Sequence, residues 1–217
     1  SGVLQGTLGD SRLDAAVARE AASLLAGGTS GVREVGGHRL FFERHAPAIT
    51  LVIFGATHVA IPLVSLGGVL GLRTAVVDGR DRFATRERFP DADEIMVGMP
   101  SELAEQMPLG RESLVVLLSH DYKYDLPVLK AVLASDAAYV GVLGSRRRGK
   151  ALLEFLGSEG VPAEQLARVR IPVGLDLGGN TPEEIALSIL AEVVAKFSGA
   201  DAQSLRLRPG PIHSRVS

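Results

Sequence analysis

The sequence contains no cysteine and no tryptophan, and aromatic residues make up only 5% of its 217 positions. Without cysteine there is no disulfide scaffold, no Cys-ligated zinc or iron–sulfur site and no thiolate nucleophile in this chain. An excess of one charge is also missing. Lys and Arg number 23 against 25 Asp and Glu, a formal net charge of −2 with a pI near 6.2. Nucleic-acid binding needs a basic footprint to displace counterions, so no nucleic-acid partner is expected. No apolar run approaches the roughly 18 residues of a membrane span. The longest runs are interrupted by Gly, Pro or His. No basic segment leads into an apolar one as in a signal peptide, and a cytoplasmic location is the expectation. The chain begins with Ser1 rather than Met, which reads as a processed, tagged or partial product.

What is present is ordinary globular composition, with 46% hydrophobic and 22% charged residues. Residues 1–47 stand apart. A Gly- and Ser-rich start leads into Leu13–Leu25, where Leu13, Val17, Ala21, Leu24 and Leu25 recur at helical spacing. Asp10 or Ser11 suits the N-cap. Arg39–Glu43 reads as a short strand. One helix and one strand make a thin core, so this segment is expected to be an α+β appendage, or the remnant of a larger domain.

From residue 48 to 217 the pattern alternates buried strand and helix. Strands are expected at Ile49–Phe54, Arg73–Val77, Glu94–Val97, Ser113–Leu118, Ala137–Val142 and Arg168–Ile171. Helices are expected at Val59–Leu70, Asp125–Leu133, Ser145–Leu156 and Thr181–Phe197. In the last, Thr181 is the N-cap, Pro182 the first helical residue and Glu184 the capping-box acid. Continuous apolar strands separated by helices give a doubly wound, mostly parallel α/β sheet. The tail after Gly199, with Pro209, Gly210 and Pro211, reads as loop.

Ligands of such sheets bind beyond the carboxyl ends of the strands, so residues there carry the functional reading. Gly55-Ala56-Thr57-His58-Val59-Ala60 links the first strand of this region to a helix, the setting of a dinucleotide fingerprint. Gly55 stands at the first fingerprint position, Thr57 replaces the second glycine, and Ala60 takes the third. The helix N-terminus offers N–H groups to a phosphate, and His58 can add a hydrogen bond. Asp78 lies 23 residues beyond Gly55, where a carboxylate bonds a ribose diol. Arg80 and Arg82 follow and can instead hold a further phosphate. A strand–turn–helix with a single glycine also occurs in domains that bind no nucleotide.

Three further strand ends are polar. His120 and Asp121 are a proton-transfer pair, a metal-ligand pair, or a loop residue beside a helix cap. Gly144 and Ser145, ahead of Arg146, Arg147 and Arg148, read either as an anion site clamped by Arg146 or Arg147, or as a solvated helix start with Arg148 in water. Asp176 lies after the last strand. Of the two acids in the first turn of the last helix, Glu184 is the capping one and Glu183 the candidate site acid.

These segments together resemble the XdhC/CoxI family of xanthine dehydrogenase accessory proteins. The resemblance rests on an ordered series: GATHVAIPL at 55–63, VVDGRDRFATRERFPDAD at 76–93, LSHDYKYDLPVL at 118–129, YVGVLGSRRR at 139–148 and IPVGLDLGGNTPEEIALSILAE at 171–192, closed by Pro211-Ile212-His213. It implies a Rossmann-like domain that binds molybdenum cofactor, as molybdopterin or a dinucleotide form, at the strand-end residues above. It also implies a molybdenum hydroxylase client of the xanthine or carbon monoxide dehydrogenase type and a cysteine desulfurase as partners, with no catalytic residue and no resident metal. A homodimer is compatible with it. The family's Gly-Gly-Cys-Leu-Glu-like motif has no cysteine here; the corresponding stretch is Gly9-Asp10-Ser11-Arg12-Leu13-Asp14. The alternative is an NAD(P)-dependent oxidoreductase using Gly55–Ala60 and Asp78.

Overall fold

The computed structural model describes residues 3–25, 28–45, 47–119 and 121–207, with the backbone alone at 122. The chain divides into two compact units, Ser1–Pro47 and Ala48–Ser217.

The first unit holds α1 (Ser11–Leu25), β1 (Gly31–Val35) and β2 (His38–Phe42). Asp10 is the cap of α1, its carboxylate accepting the Arg12 N–H at 2.7 Å. The two strands pair antiparallel, Val35 opposite His38. Gly36 and Gly37 both carry positive φ, 59° and 78°, as a two-residue hairpin turn of the I′ type requires. Only β2 is foreseen in the sequence. Gly-Val-Arg-Glu-Val of β1 buries a single residue, Val35, so its apolar signal is weak. Leu24, Val35 and Phe42 form the small core, with Leu13, Val17 and Leu40 against it.

The second unit is built on β3 (Thr50–Phe54), α2 (Ala60–Val69), β4 (Arg73–Asp78), β5 (Glu94–Val97), α3 (Pro100–Gln106), β6 (Ser113–Leu117), α4 (Tyr122–Ala134), β7 (Tyr139–Val142), α5 (Arg146–Ser158), α6 (Ala163–Leu166), β8 (Val169–Arg170) and α7 (Pro182–Ser198). Its six strands lie in the order β5-β4-β3-β6-β7-β8, and all five pairings are parallel. The expected doubly wound sheet is therefore present.

Alternation along the strands divides the core. Leu51 and Ile53 of β3, with Leu114 and Val116 of β6, face α2 and α7. Val52 and Phe54, with Val115 and Leu117, face the side of α3, α4 and α5. Both faces are covered, so the strands read as unbroken apolar runs rather than alternating ones.

Local caps place the helices. Thr181 and Glu184 form the foreseen capping box, the Glu184 carboxylate accepting the Thr181 N–H at 3.0 Å. Ser145 Oγ accepts the Arg148 N–H at 3.2 Å. Asp121 caps α4 by accepting the Lys123 N–H at 2.9 Å, so that helix opens at Tyr122, three residues before the expected Asp125. Pro127 lies inside it. The short helices α3 and α6 were not expected; at seven and four residues they show too little periodicity. The tail expected as loop holds a 3₁₀ turn at Leu205–Leu207, and Pro209, Gly210 and Pro211 lie outside the described residues.

Candidate functional site

The chain reverses its direction of winding between β3 and β6. β3 runs on through α2 to β4 and β5, and the chain then returns to β6 on the other side of β3. Loops leaving adjacent strands on either side of such a switch point diverge and leave a crevice. Here it is a cleft of about 720 Å³, in the range of small-molecule and cofactor sites. Gly55 and Thr57 enter it from the end of β3, and Asp78, Gly79 and Arg80 from β4. Gly98, Met99 and Pro100 enter from β5, and Ser119, Asp121, Tyr124 and Asp125 from β6 and the start of α4. Its floor is apolar: Phe54, Val77, Leu117 and Val128 are all buried.

Gly55 makes the turn into the cleft. Its φ is 110°, and a Cβ on it would lie 3.2 Å from the Ser119 backbone nitrogen. A side chain would be strained there and would push apart the ends of β3 and β6. The loop it opens is anchored from β4. Asp78 Oδ2 accepts the Ala56 N–H at 2.7 Å and Arg80 Nη2 at 2.9 Å; Oδ1 accepts the Arg80 N–H and Nε, both at 2.9 Å. Four hydrogen bonds fill the four acceptor positions of a carboxylate. Burial raises the Asp78 carboxyl, but the Arg80 side chain, the Ala56 and Arg80 N–H groups and the Arg80 charge outweigh it and hold the group below its ordinary value. Asp78 is thus a fixed anion tying the β4 end to the β3 loop, and the ribose-diol role read from its position has no free lone pair to use.

The loop after β4 is held by its own arginines. The Arg80 and Arg82 guanidiniums lie 4.4 and 4.8 Å from the Phe83 ring centroid. Arg88 Nη1 donates to the carbonyls of Ala56 and Phe83 at 3.0 and 2.8 Å, and Arg86 donates to the Ala92 carbonyl. On the β6 side, Arg148 Nη2 meets Asp125 Oδ2 at 2.5 Å, with side-chain exposures of 14% and 2%. Arg148 is therefore the largely enclosed partner of a buried aspartate and not the solvated arginine of one sequence reading. One buried group in the cleft wall, Thr57 Oγ1, has no hydrogen-bond partner among the described residues, which leaves a donor and acceptor ready for a bound group.

Of the residues singled out in sequence, Gly55, Thr57, Asp78, Arg80 and Asp121 converge on this cleft. His58 is exposed and does not line it. Gly144, Ser145, Arg146, Arg147, Asp176 and Glu183 are not among its lining residues either. Ser145 is spent on its cap, and Arg146, Arg147, Asp176 and Glu183 are exposed. Asp121 acts as the helix cap that was one of its three readings, while His120 and His213 lie outside the described residues. Sequence reasoning missed Met99, Pro100, Tyr124 and Asp125. The Gly98-Met99-Pro100 turn after β5 carried a usable signal, because it follows a strand on the carboxyl edge of the sheet, where ligands of parallel sheets bind. Among the described residues no group of three or more His, Cys, Asp or Glu gathers as a metal site. No described helix is long and apolar enough to cross a membrane.

A six-stranded parallel sheet in this order, with its cleft at the switch point, defines a Rossmann-type domain. The model of the XdhC Rossmann domain matches residues 51–193, and the chain belongs to that family. It is 30% identical over 155 residues to a probable xanthine dehydrogenase subunit of Bacillus subtilis, covering 71% of this chain and 45% of that protein. It is 28% identical over 149 residues to the molybdenum cofactor insertion chaperone PaoD of Escherichia coli, covering 69% and 40%. The chain thus spans less than half the length of these relatives. A xanthine dehydrogenase from Bacillus halodurans, solved by crystallography, superposes with a TM-score of 0.65 at 25% identity, over 92% of this chain and 68% of that one.

Proposed function

We propose that this chain is a carrier for molybdenum cofactor that assists its insertion into a molybdenum hydroxylase of the xanthine or carbon monoxide dehydrogenase type. The reading draws on family membership and on the role of the relative PaoD as an insertion chaperone. The observation that carries it is the cleft at the β3/β6 switch point, with an unpartnered Thr57 hydroxyl in its wall. A pterin phosphate matches it in size and in needing both an apolar bed and polar partners. Gly55, Thr57, Arg80 and Asp121 are the residues placed to hold it. The cofactor is cargo here, and the client supplies the chemistry it performs.

In this reading a cysteine desulfurase and the client hydroxylase are the two partners, met in turn by the loaded chain, which acts alone or as a homodimer. The absence of cysteine means that neither sulfur transfer nor metal retention uses a thiolate of this chain. The nicotinamide alternative is the weaker one, because Asp78 is saturated by Ala56 and Arg80. Expression in a molybdenum-replete host, followed by mass spectrometry of the small molecules released on denaturation, tests the proposal. Near-stoichiometric molybdopterin or its dinucleotide is expected. Recovery of NAD(P) in its place, or of no pterin at all, overturns it.

A further inference from the structure

The charges lining the cleft are unevenly matched. Asp78 is paired with Arg80 and Asp125 with Arg148. What is left over stands at two separate strand ends. At the β6 end, Asp121 Oδ1 is engaged by the Lys123 N–H, while its Oδ2 carries no hydrogen bond among the described residues. At the β4 end, Arg80 commits Nε and Nη2 to Asp78 and keeps Nη1 uncommitted on a side chain that is 54% exposed. One free acceptor and one free cationic donor therefore face the cleft from β6 and β4, with β3 between them. Two strand spacings separate those ends, about 10 Å. The rim near them carries two half-exposed side chains of unusual kind for an aqueous surface, Met99 and Tyr124, at 49% and 44% exposure. Thioether and phenol faces are suited to covering a flat ring.

We propose that the cleft fixes its ligand in one orientation: the amino edge of a planar heterocycle on Asp121, the ring face against Tyr124 and Met99, and a phosphomonoester at Arg80. This rests on the cofactor-carrier reading and specifies how that same site recognises its cargo. A 2-amino-4-oxo pterin presents two adjacent N–H donors on one edge; Asp121 Oδ2 accepts one and the second lone pair of Oδ1 the other, whereas an amide would offer one oxygen and a repelling NH2. Its phosphate carries the opposite demand and goes to the arginine end. In this orientation a cation is needed at one end of the ligand only, which is consistent with Arg146 and Arg147 standing apart from the cleft.

The test uses the whole chain and two probes, intact molybdopterin and the metal-free fluorescent pterin phosphate obtained by oxidising it. The chain contains no tryptophan, so protein emission interferes little with the pterin signal. Two variants are compared with the wild type. Asp121→Asn retains a competent helix cap but replaces the accepting oxygen. Tyr124→Leu removes the phenol of a side chain that is 44% exposed and interacts electrostatically with Arg80. Both are expected to keep the wild-type melting temperature and to lose about tenfold or more in affinity for the metal-free probe. Phosphatase treatment of the probe is expected to remove most of the salt dependence of its binding. If both variants bind as the wild type does, or if the wild type retains intact molybdopterin yet ignores the metal-free probe, the orientation is wrong while the carrier reading stands. If the wild type retains neither, both fall.

Discussion

Two arginine-bearing loops look alike in sequence and differ in the fold. The loop after β4 carries Arg80, Arg82, Arg86 and Arg88; the turn after β7 carries Arg146, Arg147 and Arg148. Each reads as an anion clamp. In each, the structure spends one arginine on an aspartate that lines the cleft, Arg80 on Asp78 and Arg148 on Asp125. The β4 pair leaves part of its guanidinium in solvent beside the cleft, whereas the β7 pair is buried. A buried carboxylate must be paired or lose its charge, so an arginine close to one is claimed before any ligand arrives. The comparison teaches that an arginine cluster at a strand end becomes an anion site only after its internal acids are counted.

The sharpest break of this comparison is at the buried pair. Arg148→Ala removes the guanidinium from a carboxylate that is 2% exposed, and a loss of about 3 kcal/mol is expected in urea unfolding. A loss under 1 kcal/mol would mean that the two pairs are not different in kind.

Asp78→Asn should do less, about 1–2 kcal/mol, because Arg80 is half-exposed and can return to water. The same variant carries a pH signature. The Asp78 carboxyl is held below its ordinary value in the fold, with burial opposing and the Arg80 and Ala56 bonds prevailing. Its stabilisation is therefore complete above the unfolded carboxyl value near 3.9 and is lost as pH falls through the lower folded value. Thermal melts between pH 5 and 2 should show a steeper acid decline in the wild type than in Asp78→Asn. Parallel profiles would assign the acid sensitivity to the other depressed carboxyls, Asp93 with its Thr74 bonds among them.

The smallest effect is expected at the exposed arginines. Arg146→Ala with Arg147→Ala should change stability by no more than about 0.5 kcal/mol. It should also leave pterin retention intact, as read by mass spectrometry of released small molecules. A marked loss of retention would place the anion site on the β7 side after all.

The apolar runs at Ile49–Phe54 and Ser113–Leu118 read directly as strands buried on both faces, because covering a sheet with helices on two sides demands that composition. The Thr181, Pro182 and Glu184 cap was equally legible, since capping is a local interaction within four residues. The hairpin partner Gly31–Val35 and the helix Pro100–Gln106 were not, one because it buries only Val35 and the other for its length. The candidate site was half legible. Gly55, Thr57, Asp78, Arg80 and Asp121 could be picked because strand ends converge in any parallel sheet.

Their roles were decided elsewhere. Asp78 accepts from Ala56, 22 positions away, and Arg148 meets Asp125, 23 positions away. Pairings at that separation depend on which strands are neighbours and on the crossover that brings β6 beside β3. The sequence by itself determined the class of fold, the helix caps and the order of the strand ends, all consequences of local periodicity and short-range hydrogen bonds. Only the tertiary structure decided which charges are already spent. Whether a side chain is free depends on partners that chain neighbours cannot supply.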